Sequence, residues 1–283
     1  IDLVQSFGSD PNKREFDALV STGEKVSASL VAIALNQLGL KAKSLSAAQF
    51  GMKTTSHFSR AKILDMNNEI LFQTIEEGYI PIITGFQGIT AEGDTTTMGR
   101  GGSDTTAVAI AASIKAKRCD IYTDVDGIYT TDPRIVPEAK KLDSISMEEM
   151  LELSGQGAKV IQIRAVEFAN KYKVLVRVLS SFEPGSGTLI LQEEEGMEDA
   201  VITGIASQTD QTKFTLHGVA DTPGIASGIL SPISDEGIEV DVIVQNISVS
   251  NKTDFTFTVA TSDRPQVEAV LKEKMKDISY DEL

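Results

Sequence analysis

Apolar residues recur at helical spacing between Lys13 and Leu38, at Phe16, Leu19, Val20, Val26, Leu30, Val31, Ile33, Ala34 and Leu38. This pattern predicts one long helix, with Gly39 as its C-terminal stop. A short strand is expected around 42–45, and a second helix over 67–77 that closes at Gly78. YIPIIT (79–84) reads as a buried strand in spite of Pro81. A glycine-rich loop then leads into an alanine-rich helix near 104–116, and CDIYTDV (119–125) reads as a further strand. Helices are predicted over 147–153 and 157–172, and strands over 174–179 and 187–191. Helices that alternate with short apolar strands imply an α/β architecture with a mainly parallel sheet.

The rhythm changes after QEEEGMED (192–199), an acidic stretch that reads either as a linker or as a solvated surface loop. Beyond it come a strand (213–219), a helix with a glycine end (224–237), two strands (240–248 and 254–260), an amphipathic helix (265–277) and a last strand (278–283). That order, βαββαβ, is ferredoxin-like. The expected division is therefore a large domain over 1–195 and a small one over 196–283.

Composition narrows the choice of partners. A chain of 283 residues with 41% apolar content can bury a sizeable core in one large and one small domain. The 26 basic against 41 acidic residues give a net charge of -15, which argues against a nucleic-acid partner. The pattern shows no apolar run near the roughly 20 residues of a membrane helix and no signal peptide, so no membrane partner is expected. With one cysteine, Cys119, the chain fits a reducing, cytoplasmic setting. An acidic protein that binds a phosphorylated ligand has to assemble a local positive site from glycine amides, a few basic residues and a metal ion.

Two segments supply that chemistry. In TTTMGRGGSDTTAVAIAASI (95–114), Gly99, Gly101 and Gly102 surround Arg100, and Ser103 and Asp104 open a helix. Glycines let backbone approach a ligand, and a helix start offers free N–H groups to an anion. Arg100 can grip a carboxylate or phosphate with two parallel hydrogen bonds. Asp104 can hold a metal or position reacting groups. The plainer alternative is a strand-to-helix turn capped by Ser103. The spacing is neither GxxxxGK[ST] nor GxGxxG. In YTDVDGIYTTDPR (122–134), which follows a strand, Asp124, Asp126 and Asp132 are candidate metal or ribose partners. Tyr129 suits a purine face and Arg134 a phosphate. A polar DG/DP turn accounts for this segment equally well. Lys159 precedes a helix and can reach a phosphate, or simply sit in solvent. Gly23, beside Glu24, interrupts the first helix at a cost of about 1 kcal/mol relative to alanine, which suggests a close approach there, although a solvated Glu24 is the default reading. His57 and His217 lack metal-ligand spacing, and Cys119 reads as a core residue.

The segments LVSTGE, ITGFQGIT, TTTMGRGGSDTTAVAIA, IYTDVDGIYTTDPRIV and GAKVI, in that order, resemble the aspartate kinases, and the resemblance spans essentially the whole chain. It implies an amino-acid-kinase (carbamate-kinase-like) sheet sandwiched by helices, followed by an ACT regulatory domain. It further implies transfer of the ATP γ-phosphate, with Mg²⁺, to the side-chain carboxylate of L-aspartate, at the head of lysine, threonine and methionine synthesis. By position, Glu24, Arg100, Gly101, Gly102 and Ser103 resemble the aspartate set, with Arg100 on the α-carboxylate. Asp104 resembles the acid that pairs with a catalytic lysine. Thr123, Asp124, Tyr129, Asp132, Arg134 and Lys159 resemble the ATP set.

In the ACT-like part, DTPGIA places Asp221, Pro223, Gly224, Ile225 and Ala226 where such domains bind an amino acid. Their neighbours there would be Glu239, Asp241, Gln245 and Asn246. Lysine, threonine or both are the implied effectors, and pairing of ACT sheets implies a homo-oligomer. The family's KxGG segment and the body of its second ACT unit are not found. VITGIAS (201–207) resembles a strand of that second unit. The chain is thus expected to lack both ends and to be a poor catalyst alone. The competing readings are a non-catalytic amino-acid-sensing subunit and a kinase for another small carboxylate, such as glutamate.

Overall fold

The computed structural model describes residues 11–158, 160–192, 202–246, 252–274 and 280–282. They divide into two compact units, one ending at Ser207 and the other beginning at Gln208. In chain order the first unit comprises α1 (Lys13–Gln37), β1 (Ala42–Leu45), α2 (Ala47–Phe50), β2 (Met52–Thr54), β3 (Ile63–Met66), α3 (Glu69–Glu76), β4 (Ile80–Ile83), β5 (Gln87–Ile89) and β6 (Thr95–Thr97). It continues through α4 (Gly102–Ser113), β7 (Cys119–Thr123), β8 (Ser144–Ser146), α5 (Met147–Gly155), α6 (Ile163–Tyr172), β9 (Val176–Ser180) and β10 (Thr188–Leu191). The second unit holds β11 (Gln211–Ala220), α7 (Ile225–Asp235), β12 (Val240–Gln245), β13 (Lys252–Ala260) and α8 (Arg264–Lys274).

The first helix begins on Asn12, whose side chain accepts from the N–H groups of Arg14 and Glu15, and ends before Gly39 at φ +82°. Its inward face is not its most apolar one. Asp17, Ser21, Ala28 and Ala32 are buried, whereas Leu19, Val26, Leu30 and Ile33 stay exposed. Small residues let the helix lie close to β1, β4 and β6. By length and composition alone α1 could cross a bilayer, which the sequence pattern had not suggested. In this fold Asp17 instead bonds to Ser59 and Thr97. Gly23 meets nothing within 4 Å of an added Cβ, so the expected close approach is not there.

The sheets of the first unit mix parallel and antiparallel pairings. β1 pairs with β4 in parallel, and β3-β2-β5-β6 form a four-stranded sheet in which only β2 and β5 run parallel. A second four-stranded sheet has the order β7-β9-β10-β8, parallel between β7 and β9 and between β10 and β8, and antiparallel between β9 and β10. The main core lies against this sheet and includes Val108, Ile121, Ile128, Met147, Ile161, Val166, Val176 and Val178. Strand β4 is half-buried rather than buried. The helix expected over 157–172 begins only at Ile163. Gly157 turns the chain at φ +99°, and Gln162 is extended. Residues 202–207 form no strand; the Ile205 N–H donates to the Thr130 carbonyl at 2.7 Å, and the Thr203 hydroxyl bonds the Glu149 carboxylate.

The second unit is an antiparallel sheet, β11-β13-β12, packed against α7 and α8. His217 of β11 bridges Glu282 in antiparallel sense, so the chain's last described residues lie at the outer edge of β11. Phe214, Phe255 and Phe257 centre the core. The observed order, βαββα followed by this bridge, follows the sequence pattern.

Candidate active site

Strand β6 runs directly into Met98, Gly99, Arg100 and Gly101. Gly99 and Gly101 adopt φ +75° and +65°, which L side chains rarely tolerate. A Cβ on Gly101 would lie 1.8 Å from Gln162 Cγ, and one on Gly102 3.1 Å from Met98 Cβ and Phe86 Cα. Glycine is therefore required here by packing as well as by torsion. Gly101, not Ser103, is the N-cap of α4, and no side chain caps the helix. The Gly102 N–H donates to the Gly99 carbonyl at 3.1 Å, and the next two amides, of Ser103 and Asp104, are left to a ligand or solvent. Ser103 is exposed and sits over Gly85, where an added Cβ would come within 3.3 Å of its hydroxyl.

The charged groups around this helix start differ in setting. Arg100 is exposed, with no hydrogen-bond or ion-pair partner among the described residues. Asp104 is half-buried; burial pushes its carboxyl up, and a hydrogen bond from the Gln162 backbone opposes this. Glu24 lies on the same face of α1 as Asp17, Ser21 and Ala28, is half-buried, and is also pushed up by burial. Raised carboxyls with no cationic partner among the described residues suit a site that awaits a charged ligand.

Chain topology brings the second segment to the same end of the sheet. Helix α4 and β7 are joined by the short turn 114–118, and α6 and β9 by 173–175, so each helix runs antiparallel to the strand after it. Both helix starts thus lie at the carboxyl ends of the parallel strands β7 and β9. From that end of β7 the chain continues as Thr123 and Asp124, whose hydroxyl and carboxylate bond at 3.1 Å. A cleft of about 260 Å³ follows, lined by Asp124, Val125, Asp126, Tyr129, Pro133, Ser180, Phe182 and Glu183.

Within the cleft, Tyr129 donates to Asp126 at 2.9 Å and Lys141 pairs with the other oxygen at 3.1 Å. Burial pushes Asp126 up, but these bonds outweigh it and hold the carboxyl below the usual range. Asp132 is paired with Arg134 at 2.8 Å, and Arg134 is exposed. Lys159 lies outside the described residues.

Sequence reasoning missed three residues that organise this region. Gln162 covers Gly101 and bonds Asp104. Asp17 accepts hydrogen bonds from Ser59 and Thr97, and Arg164 donates to the Met98 and Ala61 carbonyls.

In the second unit, Asp221, Thr222, Pro223, Gly224, Ile225, Ala226 and Gln245 line a cleft of about 460 Å³ at the start of α7. Gly224 is the helix N-cap at φ +91°, with nothing within 4 Å of an added Cβ. Glu239, Asp241 and Asn246 are exposed and lie outside that lining.

The chain thus joins an α/β unit with a glycine-flanked helix start to a βαββα unit with a cleft at its first helix start. The profile of the amino acid kinase family matches residues 2–180, and that of the ACT domain residues 215–276. The aspartate kinase of Pseudomonas fluorescens is 50% identical over 286 residues, covering 100% of this chain and 69% of the relative. E. coli aspartokinase III in complex with aspartate and ADP superposes with a TM-score of 0.80 at 30% identity, over 98% of this chain and 64% of that one. The same enzyme in complex with lysine and aspartate gives 0.71 at 31% identity, over 95% and 61%. The chain belongs to the aspartate kinase family. The mixed parallel sheets and the βαββα unit are the fold that the sequence motifs implied.

Proposed function

We propose that the first unit carries transfer of the ATP γ-phosphate to the side-chain carboxylate of L-aspartate, giving 4-phospho-L-aspartate and ADP. The carboxylate oxygen attacks the γ-phosphorus as the bond to the β,γ-bridging oxygen breaks, and ADP takes the electron pair. The observation that carries this reading is the start of α4, which no side chain caps, where Arg100, the amides of Ser103 and Asp104 and the half-buried Asp104 carboxyl converge at the carboxyl ends of β7 and β9. Arg100 grips the substrate α-carboxylate, and Glu24, Gly101, Gly102 and Ser103 complete the aspartate set. Asp104 positions the reacting groups. Thr123, Asp124, Tyr129, Asp132 and Arg134 border the nucleotide, with the Phe182 cleft beside them, and Lys159 is assigned to its phosphates. Phosphoryl transfer of this kind needs orientation and charge stabilisation rather than a protein nucleophile.

Mg²⁺ would arrive on the nucleotide. Among the described residues there is no cluster of three or more His, Cys, Asp or Glu, and the ion takes most of its ligands from phosphate and water, with one or two carboxylates. The exposed Asp124 at the mouth of the nucleotide cleft suits that part. The ion supplies charge neutralisation on the phosphates.

The second unit senses an amino acid, lysine or threonine, at the 221–226 turn and Gln245, with Glu239, Asp241 and Asn246 on the neighbouring strand. Its sheet pairs with that of another copy in a homo-oligomer, and the enzyme works in the cytoplasm. The test uses the full-length protein with ATP, Mg²⁺ and L-aspartate, trapping acyl phosphate with hydroxylamine. Aspartate-dependent hydroxamate is the expected product. No product together with lysine or threonine binding would instead support a purely regulatory subunit, and product with glutamate but not aspartate would reassign the substrate.

A further inference from the structure

We propose that Asp17 and Arg164 are positioning residues that set the loop bearing Arg100. The proposal rests on the reading of Arg100 as a ligand of the substrate carboxylate.

Asp17 is fully buried, and its two oxygens accept four hydrogen bonds. One oxygen takes the N–H groups of Ser59 and Thr97, both at 2.7 Å. The other takes their hydroxyls, at 2.9 and 2.8 Å. A buried carboxylate is often no more stable than an apolar residue of similar shape, so stability alone does not account for it. Its distinctive property is geometric: it fixes two chain segments, 42 and 80 residues away in sequence, against α1.

Arg164, on α6, completes the arrangement. Its guanidinium donates to the Met98 carbonyl at 2.7 Å and to the Ala61 carbonyl at 3.1 Å. The two segments also bond each other, Ala61 N–H to the Thr97 carbonyl at 2.9 Å. The Ser59 carbonyl lies 3.0 Å from where a Cβ on Gly99 would stand, so the turn at 59 closes over the glycine that precedes Arg100. Ser59 itself holds φ +65°, an uncommon conformation for a residue with a side chain.

Each anchor stands close in sequence to a residue that forms or touches the proposed site. Asp17 stands two turns before Glu24 on one face of α1. Arg164 stands just after Gln162, which covers Gly101 and bonds Asp104. Loosening either anchor therefore moves Arg100 relative to Glu24 and Asp104, and misplacement on this scale weakens substrate capture.

The test measures kcat and both KM values of the full-length enzyme with Thr97→Val, Thr97→Ser, Arg164→Met and Arg164→Lys. These variants change one partner or one anchor and avoid emptying the buried site. Thr97→Val removes one donor to Asp17, and KM for aspartate should rise about tenfold, the worth of one such bond. KM for ATP and kcat should stay within about twofold, and Thr97→Ser should restore the wild-type value. Arg164→Met should act in the same direction and Arg164→Lys less. Unchanged KM for aspartate in an active enzyme overturns the proposal, as does a loss of kcat alone with a lowered Tm, which marks mere structural support. A wild type that forms no acyl phosphate overturns this proposal together with the functional reading on which it rests.

Discussion

Two helices in this molecule, α4 and α7, begin on a left-handed glycine with no capping side chain, yet the two starts are built in opposite ways. Gly101, at φ +65°, is wedged beneath Gln162, and the loop before it is tied to buried Asp17 and Arg164. Gly224, at φ +91°, borders a cleft of about 460 Å³ and touches nothing where a Cβ would be. The same local torsion thus serves a rigid cradle in one unit and an open one in the other. This contrast fits the roles proposed for the two starts, since a site for chemistry needs groups held within fractions of an ångström, whereas a sensing site has to admit its ligand and respond to it.

The strongest way to break this contrast is at Arg100. Arg100→Ala should lower kcat/KM for aspartate at least about 1000-fold with Tm unchanged, since the side chain is exposed and bonds no other described residue. A small effect would make the cradle an ordinary turn. Asp104→Asn should cost about 100-fold in turnover, without loss of stability at neutral pH. The sign follows from its raised carboxyl: the folded-state value lies above the ordinary 3.8, so its linked stability is present below that value and is lost as pH rises through the folded one. Asparagine removes that dependence, and urea unfolding at pH 5 and 7 should show a flatter profile.

The glycines sharpen the comparison directly. Gly101→Ala should cost about 3 kcal/mol, from strained torsion plus collision with Gln162. Gly224→Ala should cost about 1 kcal/mol, from torsion alone. Equal losses in denaturant unfolding of the two variants would remove the distinction between the two helix starts. The smallest expected effect lies away from both sites. Asp120 is held at about 2 by hydrogen bonds from Arg118 and Arg177, against an ordinary value of 3.8. Its contribution is present above pH 3.8 and is lost as pH falls towards 2, so Asp120→Asn should flatten the acid limb of the stability curve by well under 1 kcal/mol at neutral pH.

Much of this was legible in the sequence because it is local. The glycine spacing of 99–102, the alternation in 254–260 and the turn at 221–226 each report their own backbone. The anchors were not legible, because their meaning depends on distant partners. Asp17 sits in an apolar helix, where an acid ordinarily reads as solvent-facing, and its donors come from two remote turns. Arg164 and Gln162 fell within a predicted helix that starts later than its periodicity suggested. Nor did hydrophobic periodicity mark the buried side of α1, since packing against strands there demands small residues, and the large apolar ones face outward.

Burial also decides the fate of Cys119, the chain's single cysteine. Its thiol is enclosed in the main core and pushed up to about 11, chiefly by burial. At neutral pH it holds almost no thiolate, so alkylating dyes should pass it by. The native chain is therefore a ready background for site-directed labelling: a cysteine introduced at an exposed position near either cradle would take a fluorophore alone, and could report its opening in real time.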